Sequence, residues 1–241
     1  MTRAAPSAGT TSQLDAVIPA EIIHDRFYRW IARIAASPGV RTILEIGSAS
    51  GTGSTQAFVD GALRNPVRPT LHCLEISRPR YAALCGRYAD RDFVRCYNMS
   101  SVPAESFPTA ADIDAFRRRV WTRFRFIRRR TVVGWLEQDL EYLRRHELSA
   151  HGIRRIREAA GITHFDAVLI DGSEFTGRAE LAEVYGARFL LLDDIRTYKN
   201  YGNYHSLRRD PEYRLIARAR WLRNGFAVFE RRPATTSGWP A

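Results

Sequence analysis

The sequence has little of what a disulfide-stapled, zinc-bound or membrane-spanning protein needs. Its three cysteines, Cys73, Cys85 and Cys96, are an odd number without C-x-x-C spacing, which argues against both a disulfide framework and a zinc site. No apolar run reaches the length of a membrane span. The N-terminus lacks the basic-then-apolar pattern of a signal peptide, which favours a cytoplasmic protein. We therefore expect the cysteines to be reduced and partly buried.

Lysine is almost absent. Lys199 is the only one, so the formal charge of +11 comes from arginine. A basic chain can face nucleic acid, acidic lipids or an anionic metabolite, and charge alone does not choose among them. The 241 residues and 45% hydrophobic content can bury a full core, which predicts one domain over residues 19–232. Residues 1–18 are predicted to be a disordered leader, and residues 233–241 a loose tail.

Two familiar nucleotide-binding patterns are also missing from the most distinctive stretch, residues 41–55. A G-x-G-x-x-G motif starting at Gly51 fails at Gln56, and no Gly-Lys-Ser/Thr of a Walker loop follows. The stretch contains instead a short apolar run, a loop of small residues and a helix start. Glycines at positions 47, 51 and 53 permit close backbone approach, and the helix N-terminus points free N–H groups at a ligand. We interpret it as a strand, a nucleotide-type ligand loop and a helix.

The spacing that does fit is Glu45-x-Gly47-x-Ala49-x-Gly51. It resembles the first motif, E/D-x-G-x-G-x-G, of the Rossmann-like S-adenosylmethionine-dependent methyltransferases. Ala49 departs from the family's middle glycine and slightly crowds the loop. The resemblance implies a cofactor site that includes Glu45, Gly47, Ser48, Ala49 and Gly51. An ordinary strand-to-helix turn is the alternative.

A second acid follows at a matching interval. Residues 70–76 are predicted to form the second strand, and Glu75 near its end lies 24 residues after Gly51. A carboxylate in that place can accept hydrogen bonds from both ribose hydroxyls of a nucleoside lying over the first loop, although solvated strand-end acids are also common. The third strand is predicted over residues 93–97. The resemblance implies an adenine contact just after it, for which Asn98 is the candidate.

Residues 112–161 interrupt the alternation of strands and helices. Two apolar stripes with helical spacing predict an all-helical insertion, which carries thirteen arginines against seven acids and a net charge of about +6. Because Trp121, Phe124 and Phe126 lie among the arginines, the insertion could bind nucleic acid. A solvated or homo-oligomer contact face and a face for an anionic substrate are the other interpretations. Nucleic acid is the least favoured, because no recognised nucleic-acid motif accompanies the charge.

Two further apolar strands end in carboxylates. Residues 164–171 end at Asp171, and residues 187–194 end at Asp193 and Asp194, which should meet at one edge of a parallel sheet. The pattern F-D-x-V-x-I-D-G followed by a strand ending D-D resembles the metal-dependent small-molecule O-methyltransferases. The resemblance implies that these three aspartates hold one Mg²⁺, an ion that prefers oxygen ligands, with Asp171 also near the cofactor. A turn and a helix cap are the alternative.

Three residues are candidate bases: Glu174, Lys199 and His205. The resembling family often has lysine or histidine three residues after its first metal ligand. Glu174 stands there in this chain, and it could deprotonate a hydroxyl if burial raised its pKa. Lys199 and His205 belong to a polar, aromatic stretch over residues 195–205 that we interpret as a substrate lid.

Two further patterns predict a helix near the N-terminus and a hairpin near the C-terminus. Residues 20–36 are predicted to be an amphipathic helix, and Arg223-Asn224-Gly225 joins two strands in a hairpin. With the resemblance, these features imply an α/β, Rossmann-like, doubly wound sheet of seven mostly parallel strands, with a C-terminal antiparallel hairpin and a helical insertion.

The resemblance implies a function as well. It predicts an S-adenosylmethionine-dependent transferase that methylates a hydroxyl of a small molecule or sugar in a biosynthetic pathway, with Mg²⁺ as a second cofactor. The Asn/Asp-Pro-Pro-aromatic tetrad of amino-methyltransferases is absent, which disfavours methylation of a base nitrogen. The alternative is a nucleic-acid-associated RNA methyltransferase, or a binding module, that uses the Arg-rich insertion as its contact face.

Overall fold

The structure, a computed structural model, describes residues 13–17 and 19–233. Seven strands form one sheet in the order β3-β2-β1-β4-β5-β7-β6. The first five strands of this order are parallel, and β7 runs antiparallel to both β5 and β6. The strands are β1 (Thr42–Ile46), β2 (Thr70–Leu74), β3 (Val94–Tyr97), β4 (Ala167–Ile170), β5 (Phe189–Leu192), β6 (Tyr213–Ala219) and β7 (Phe226–Arg231). This is the predicted arrangement of parallel strands closed by an antiparallel hairpin, and β2, β3, β4 and β5 are each shorter than expected.

Helices cover both faces of the sheet. They are α1 (Arg26–Ala35), α2 (Ser54–Ala62), α3 (Arg78–Arg87), α4 (Ala110–Arg119), α5 (Arg129–Arg145), α6 (Gly152–Ala159), α7 (Gly177–Val184) and α8 (Tyr198–Leu207). Successive side chains of a strand point to opposite faces, so Ile43 packs into a core with α1 and α2, while Leu44 packs into a second core with α6, α7 and α8. Burial on both faces explains the near-continuous apolar runs of the central strands.

Two predicted segments differ in the structure. The helix expected over residues 20–36 begins only at Arg26, because the side chain of Asp25 caps it by accepting a hydrogen bond from the Tyr28 N–H at 2.9 Å. The stretch expected to be a lid, residues 195–205, is mostly helix α8. Its buried face carries Asn200 and Asn203, whose amides bond to backbone carbonyls, so the segment lacks the apolar stripe that would have revealed a helix.

The insertion is also smaller than predicted. Ile153 and Ile156 of α6 pack into the second core against the sheet, so α6 belongs to the regular alternation of strands and helices. The first predicted stripe is broken, because α4 ends at Arg119 and residues 123–126 form a separate 3₁₀ turn. The insertion proper is therefore α4, that turn and α5. They share a small core whose buried members are Ile113, Phe124, Val132, Leu136 and Phe175.

The ends of the chain are described only in part. Residues 1–12, 18 and 234–241, which hold most of the predicted leader and tail, lie outside the described residues. Residues 13–15 form a 3₁₀ turn, and Asp15 accepts a hydrogen bond from the Tyr142 hydroxyl at 2.7 Å. This part of the predicted leader is therefore tied to α5. None of the helices described is long and apolar enough to cross a membrane. The three cysteines are free thiols, and Cys73 is buried while Cys85 and Cys96 are partly buried.

Candidate active site

A cleft of about 300 Å³ opens at the carboxyl ends of the parallel strands. Its walls come from the segments that follow β1, β2, β3, β4 and β5, and from residues 19–22 ahead of α1. The insertion contributes Asp139 and Leu143 of α5. Open α/β sheets bind their ligands at this edge. Eight of the predicted site residues line the cleft: Gly47, Ser48, Ala49, Glu75, Asp171, Asp193, Asp194 and Lys199. Glu45, Gly51, Asn98, Glu174 and His205 do not.

The loop after β1 is shaped by its backbone. Gly47 has φ +89°, and a Cβ there would lie 2.2 Å from the carbonyl oxygen of Asp171, so the loop can cross the turn after β4 only without a side chain. Ala49 has φ +47° in the left-handed region, which non-glycine residues enter at a cost of about 1–2 kcal/mol. The family motif has a glycine in this position. Alanine at this position therefore introduces local backbone strain that glycine would avoid.

Glu75 joins this loop to the end of β2. Its carboxylate accepts hydrogen bonds from the N–H groups of Ala49 and Ser77, each at 2.8 Å. The side chain is 6% exposed and lines the cleft. Burial raises the pKa of Glu75, and the Ser77 N–H and the charge of Arg80 partly offset this rise. The loop and the strand-end acid, predicted separately, therefore form one hydrogen-bonded unit.

Glu45 and Asn98, which were also predicted to contact the cofactor, form hydrogen bonds with neighbouring parts of the protein. Glu45 is fully buried and accepts a hydrogen bond from the Thr55 hydroxyl at 2.6 Å, which fixes the start of α2 against β1. Asn98 donates its amide to the carbonyl oxygens of Glu75 and Ile76, at 2.8 and 2.9 Å. The residues after β3 that line the cleft are Met99, Ser100 and Ser101.

Two buried polar atoms in the cleft wall have no hydrogen-bond partner among the described residues. They are Ser48 Oγ and one carboxylate oxygen of Glu180, Oε2. The other oxygen of Glu180 accepts bonds from the hydroxyls of Ser101 and Thr176, at 2.6 and 2.7 Å. An unpaired buried acceptor is costly unless a ligand satisfies it. Ser48 and Glu180 therefore add polar side chains to the cleft wall beside Glu75.

The three aspartates after β4 and β5 meet as predicted. One carboxylate oxygen from each of Asp171, Asp193 and Asp194 lies within 4.8 Å of the others. The ammonium group of Lys199 bridges two of them, at 2.7 Å from Asp171 Oδ1 and 3.0 Å from Asp194 Oδ2. Arg223 lies 3.3 Å from Asp193 Oδ1. The chain's own cations thus neutralise much of the cluster.

The pKa directions agree with this arrangement. Burial alone would lower the pKa of Lys199, but the carboxylates of Asp171, Asp194 and Glu174 raise it well above its ordinary value. Burial and then the two neighbouring aspartates raise the pKa of Asp193. Lys199 is therefore charged at neutral pH.

The aspartate cluster has donor atoms that suit Mg²⁺, but a lysine lies among them. Three carboxylates are suitable ligands for that ion. However, the Lys199 side chain is only 7% exposed and its ammonium lies between two of the three. A metal ion could reach all three carboxylates only after the lysine had moved away, so the arrangement does not fit a resident metal. Ligation of Mg²⁺ by Asp171, Asp193 and Asp194 stays a prediction.

The three predicted bases lie in different places. Glu174 is next to Lys199 and accepts its backbone N–H at 3.2 Å, and burial raises the pKa of Glu174 to about 7. Lys199 itself lines the cleft. His205 lies on the opposite face of α8, where it lines a separate cavity of about 180 Å³ with Trp121 and Arg208. The structure therefore brings Glu174 and Lys199 together and leaves His205 apart from them.

Asp139 is an acid that sequence reasoning missed. It lines the cleft and accepts a hydrogen bond from the Ser173 hydroxyl, and burial raises its pKa to about 6. A signal was present: Asp139 lies three residues after Leu136 and four before Leu143, on the apolar stripe of α5. An acid on a buried stripe needs a partner or a function. Glu180 and Arg223 had no comparable signal in the sequence.

Comparison with known proteins agrees with the fold. No family model matches this chain, and no curated protein matches its sequence. Similar solved structures include a methyltransferase from Geobacter sulfurreducens, with 13% identity, a TM-score of 0.51, and coverage of 88% of this chain and 82% of that one. An O-methyltransferase from Bacillus cereus in complex with SAH has 13% identity, a TM-score of 0.50, and coverage of 89% and 84%.

A third similar structure is a putative O-methyltransferase from Klebsiella pneumoniae, with 14% identity, a TM-score of 0.50, and coverage of 89% of this chain and 84% of that one. At such low identity these likenesses concern the fold. They confirm the predicted Rossmann-like architecture, which is that of the methyltransferases.

Proposed function

We propose that this protein is an S-adenosylmethionine-dependent methyltransferase that methylates a hydroxyl group of a small molecule or sugar. The observation that carries the proposal is the unit made by the tight loop at residues 47–51 and the strand-end acid Glu75, joined by the Ala49 N–H. A backbone loop and a carboxylate in this arrangement suit a nucleoside whose ribose hydroxyls donate to the acid. The fold shared with methyltransferases supports the same class.

The cofactor would be held by residues already in the cleft wall. Glu75 would accept bonds from the ribose hydroxyls, and Ser48 and Glu180 would contribute polar side chains to the same wall. The bound cofactor supplies an electrophilic methyl group. The cleft of about 300 Å³ is at the lower limit for ligand pockets, and it must also admit the acceptor, which favours a small acceptor group.

The side chains on the other side of the cleft supply the proton chemistry. A hydroxyl oxygen that gains a methyl group must lose its proton, and a carboxylate with a slightly raised pKa is suited to take it at neutral pH. Asp139 meets this requirement: it lines the cleft, and the Ser173 hydroxyl fixes one of its oxygens. Glu174 holds the backbone of Lys199 in place. We therefore assign Asp139 as the base and Glu174 as a positioning residue.

Calorimetry with S-adenosylhomocysteine tests the cofactor assignment. We expect the parent protein to bind it, and Glu75→Ala to weaken binding by roughly 1–3 kcal/mol, because ribose hydroxyls would lose a charged acceptor. Glu105→Ala, an exposed acid in the 3₁₀ turn at residues 104–106, is the matched control and should bind normally. No binding by the parent, or equal affinity in the Glu75 variant, would refute the assignment. Transfer from labelled S-adenosylmethionine to a panel of sugars and phenols then tests the acceptor class.

One observation favours the nucleic-acid alternative. Trp121 and Phe126 of the insertion are 75% and 70% exposed and lie edge to face, and the Arg125 guanidinium lies 4.7 Å from the centre of the Trp121 ring. Exposed aromatic rings among arginines can stack unpaired bases. If this surface binds RNA, Trp121→Ala should weaken binding of a short single strand by about 1–3 kcal/mol at fixed salt. If every arginine variant lost the same RNA affinity and Trp121→Ala lost none, nonspecific charge attraction would explain the binding.

A further inference from the structure

Lys199 is both the only lysine of the chain and the residue at the centre of the aspartate cluster. Lysine is strongly hydrated and seldom fully buried, so a 7% exposed lysine needs close anionic partners. It has them in Asp171 and Asp194, the first carboxylate from the end of β4 and the second from the end of β5. One ammonium therefore links the two strand ends.

The backbone around Lys199 is fixed as well. Asn200 donates its amide to the carbonyl oxygens of Ile170 and Asp193, at 2.9 and 2.7 Å, which ties the first turn of α8 to the ends of β4 and β5. The carbonyl oxygen of Lys199 packs so closely on Gly177 that a Cβ there would lie 2.1 Å away. The lysine can leave the cluster only by turning its side chain, because its backbone is held on both sides.

Two further side chains bind the aspartates. Asn224 donates to the second oxygen of Asp194 at 3.1 Å, and Arg223 pairs with Asp193. Three carboxylates thus face two cations of the chain itself, and an added divalent ion would meet the ammonium first. Asp171 and Asp194 use two of the three N–H groups of the ammonium. Among the described residues no third acceptor bonds to it, so one N–H is left for a ligand in the cleft.

We propose that the Lys199 ammonium takes the place of a divalent cation in this cluster, and that its third N–H orients the acceptor hydroxyl. The orienting role rests on the proposed methyltransferase function. The replacement of the divalent cation does not rest on that function, because it follows from the position of the Lys199 ammonium between Asp171 and Asp194. Lys199 acts here as a donor in its charged form, and Asp139 remains the base.

Titration with Mn²⁺, followed by electron paramagnetic resonance and by the thermal unfolding midpoint, tests the proposal without an activity assay. The parent should show no saturable site. Lys199→Ala should gain one that binds Mn²⁺ at least about tenfold more tightly than any residual binding by the parent, because removing a unit charge within a few ångströms of the ion removes a strong repulsion. Lys199→Ala/Asp194→Asn should lose the gained site again. Lys199→Met, which keeps an apolar stem, serves if the alanine variant fails to fold.

Two results would overturn the proposal. One is saturable Mn²⁺ binding by the parent that Asp171→Asn removes. The other is a Lys199 variant that still binds S-adenosylhomocysteine, and is therefore folded, but gains no ion. Failure of the proposed function gives a different pattern, since the parent would bind no S-adenosylhomocysteine whatever the Mn²⁺ titrations show.

Discussion

The two sides of the cleft are built in different ways. On the side that we assign to the cofactor, after β1 and β2, the contacts come from the backbone: left-handed residues, N–H groups and one carboxylate that accepts two of them. On the side that we assign to the acceptor, after β4 and β5, they come from charged side chains of α5, α8 and the β6–β7 turn. In the proposed function, backbone geometry would bind the cofactor that all such reactions share, whereas the side chains could change with the acceptor. The two sides should therefore respond differently to mutation.

The largest effect is expected on the acceptor side. Asp139→Asn keeps the shape of the side chain but cannot take a proton at neutral pH, so turnover should fall by about 10²–10⁴-fold. Binding of S-adenosylhomocysteine should stay nearly unchanged, since the residues that we assign to the cofactor lie elsewhere in the cleft. Glu137→Gln, an exposed acid on the same helix, is the matched control. Full turnover in the Asp139 variant would return the role of base to Glu174.

The pH profile provides an independent readout of the same residue. Burial raises the pKa of Asp139 to about 6, and a base must be unprotonated to act. Turnover should therefore rise with pH through about 6 and level off above it. The residual activity of Asp139→Asn should lack this step. A step that persists in the variant would belong to another group.

A large effect is also expected on the cofactor side, but on stability and binding together. Gly47→Ala would place a Cβ 2.2 Å from the Asp171 carbonyl oxygen at φ +89°. Strain of this kind costs roughly 1–3 kcal/mol for the dihedral and as much again for the clash. We expect a lower free energy of unfolding and loss of cofactor binding, measured by denaturant titration and calorimetry.

Gly134→Ala is the control for the Gly47 variant. Gly134 lies inside α5 with open space around it, so alanine there should stabilise the protein by about 0.5–1 kcal/mol. Equal losses of stability at positions 47 and 134 would mean that close approach to the β4 turn is not what requires glycine in the loop.

The same contrast explains what could be predicted from the sequence. Gly47, Glu75, Asp171 and Asp193 follow from local patterns, because parallel strands place their carboxyl ends at one edge whatever surrounds them. The partners of these residues do not follow. Asp139 reaches Ser173 from an insertion 34 residues earlier, and no spacing rule relates two such segments.

The wrong predictions have a related cause. Helix α8 seemed to be a loop because its buried face uses the amides of Asn200 and Asn203 where most helices use apolar side chains. Helix α6 was placed in the insertion because periodicity reveals an apolar face but not its partner, which is the sheet. Sequence patterns thus located the strand ends and loops of the site. The charged side chains that pair there come from distant segments, and only the tertiary structure shows which they are.

The smallest effect is expected at Ala49, in the loop after β1. Ala49 occupies φ +47°, and its N–H is the link to Glu75. Ala49→Gly removes the side-chain strain of the left-handed region, but it also frees the unfolded chain, which offsets part of the gain. We expect a net stabilisation of about 0.5–1 kcal/mol in the free energy of unfolding, with cofactor affinity unchanged or slightly improved. If this loop is built by its backbone, the methyl group of Ala49 contributes nothing to binding. A variant that loses affinity while keeping stability would show that the methyl group contacts the cofactor, and that a side chain also shapes this side of the cleft.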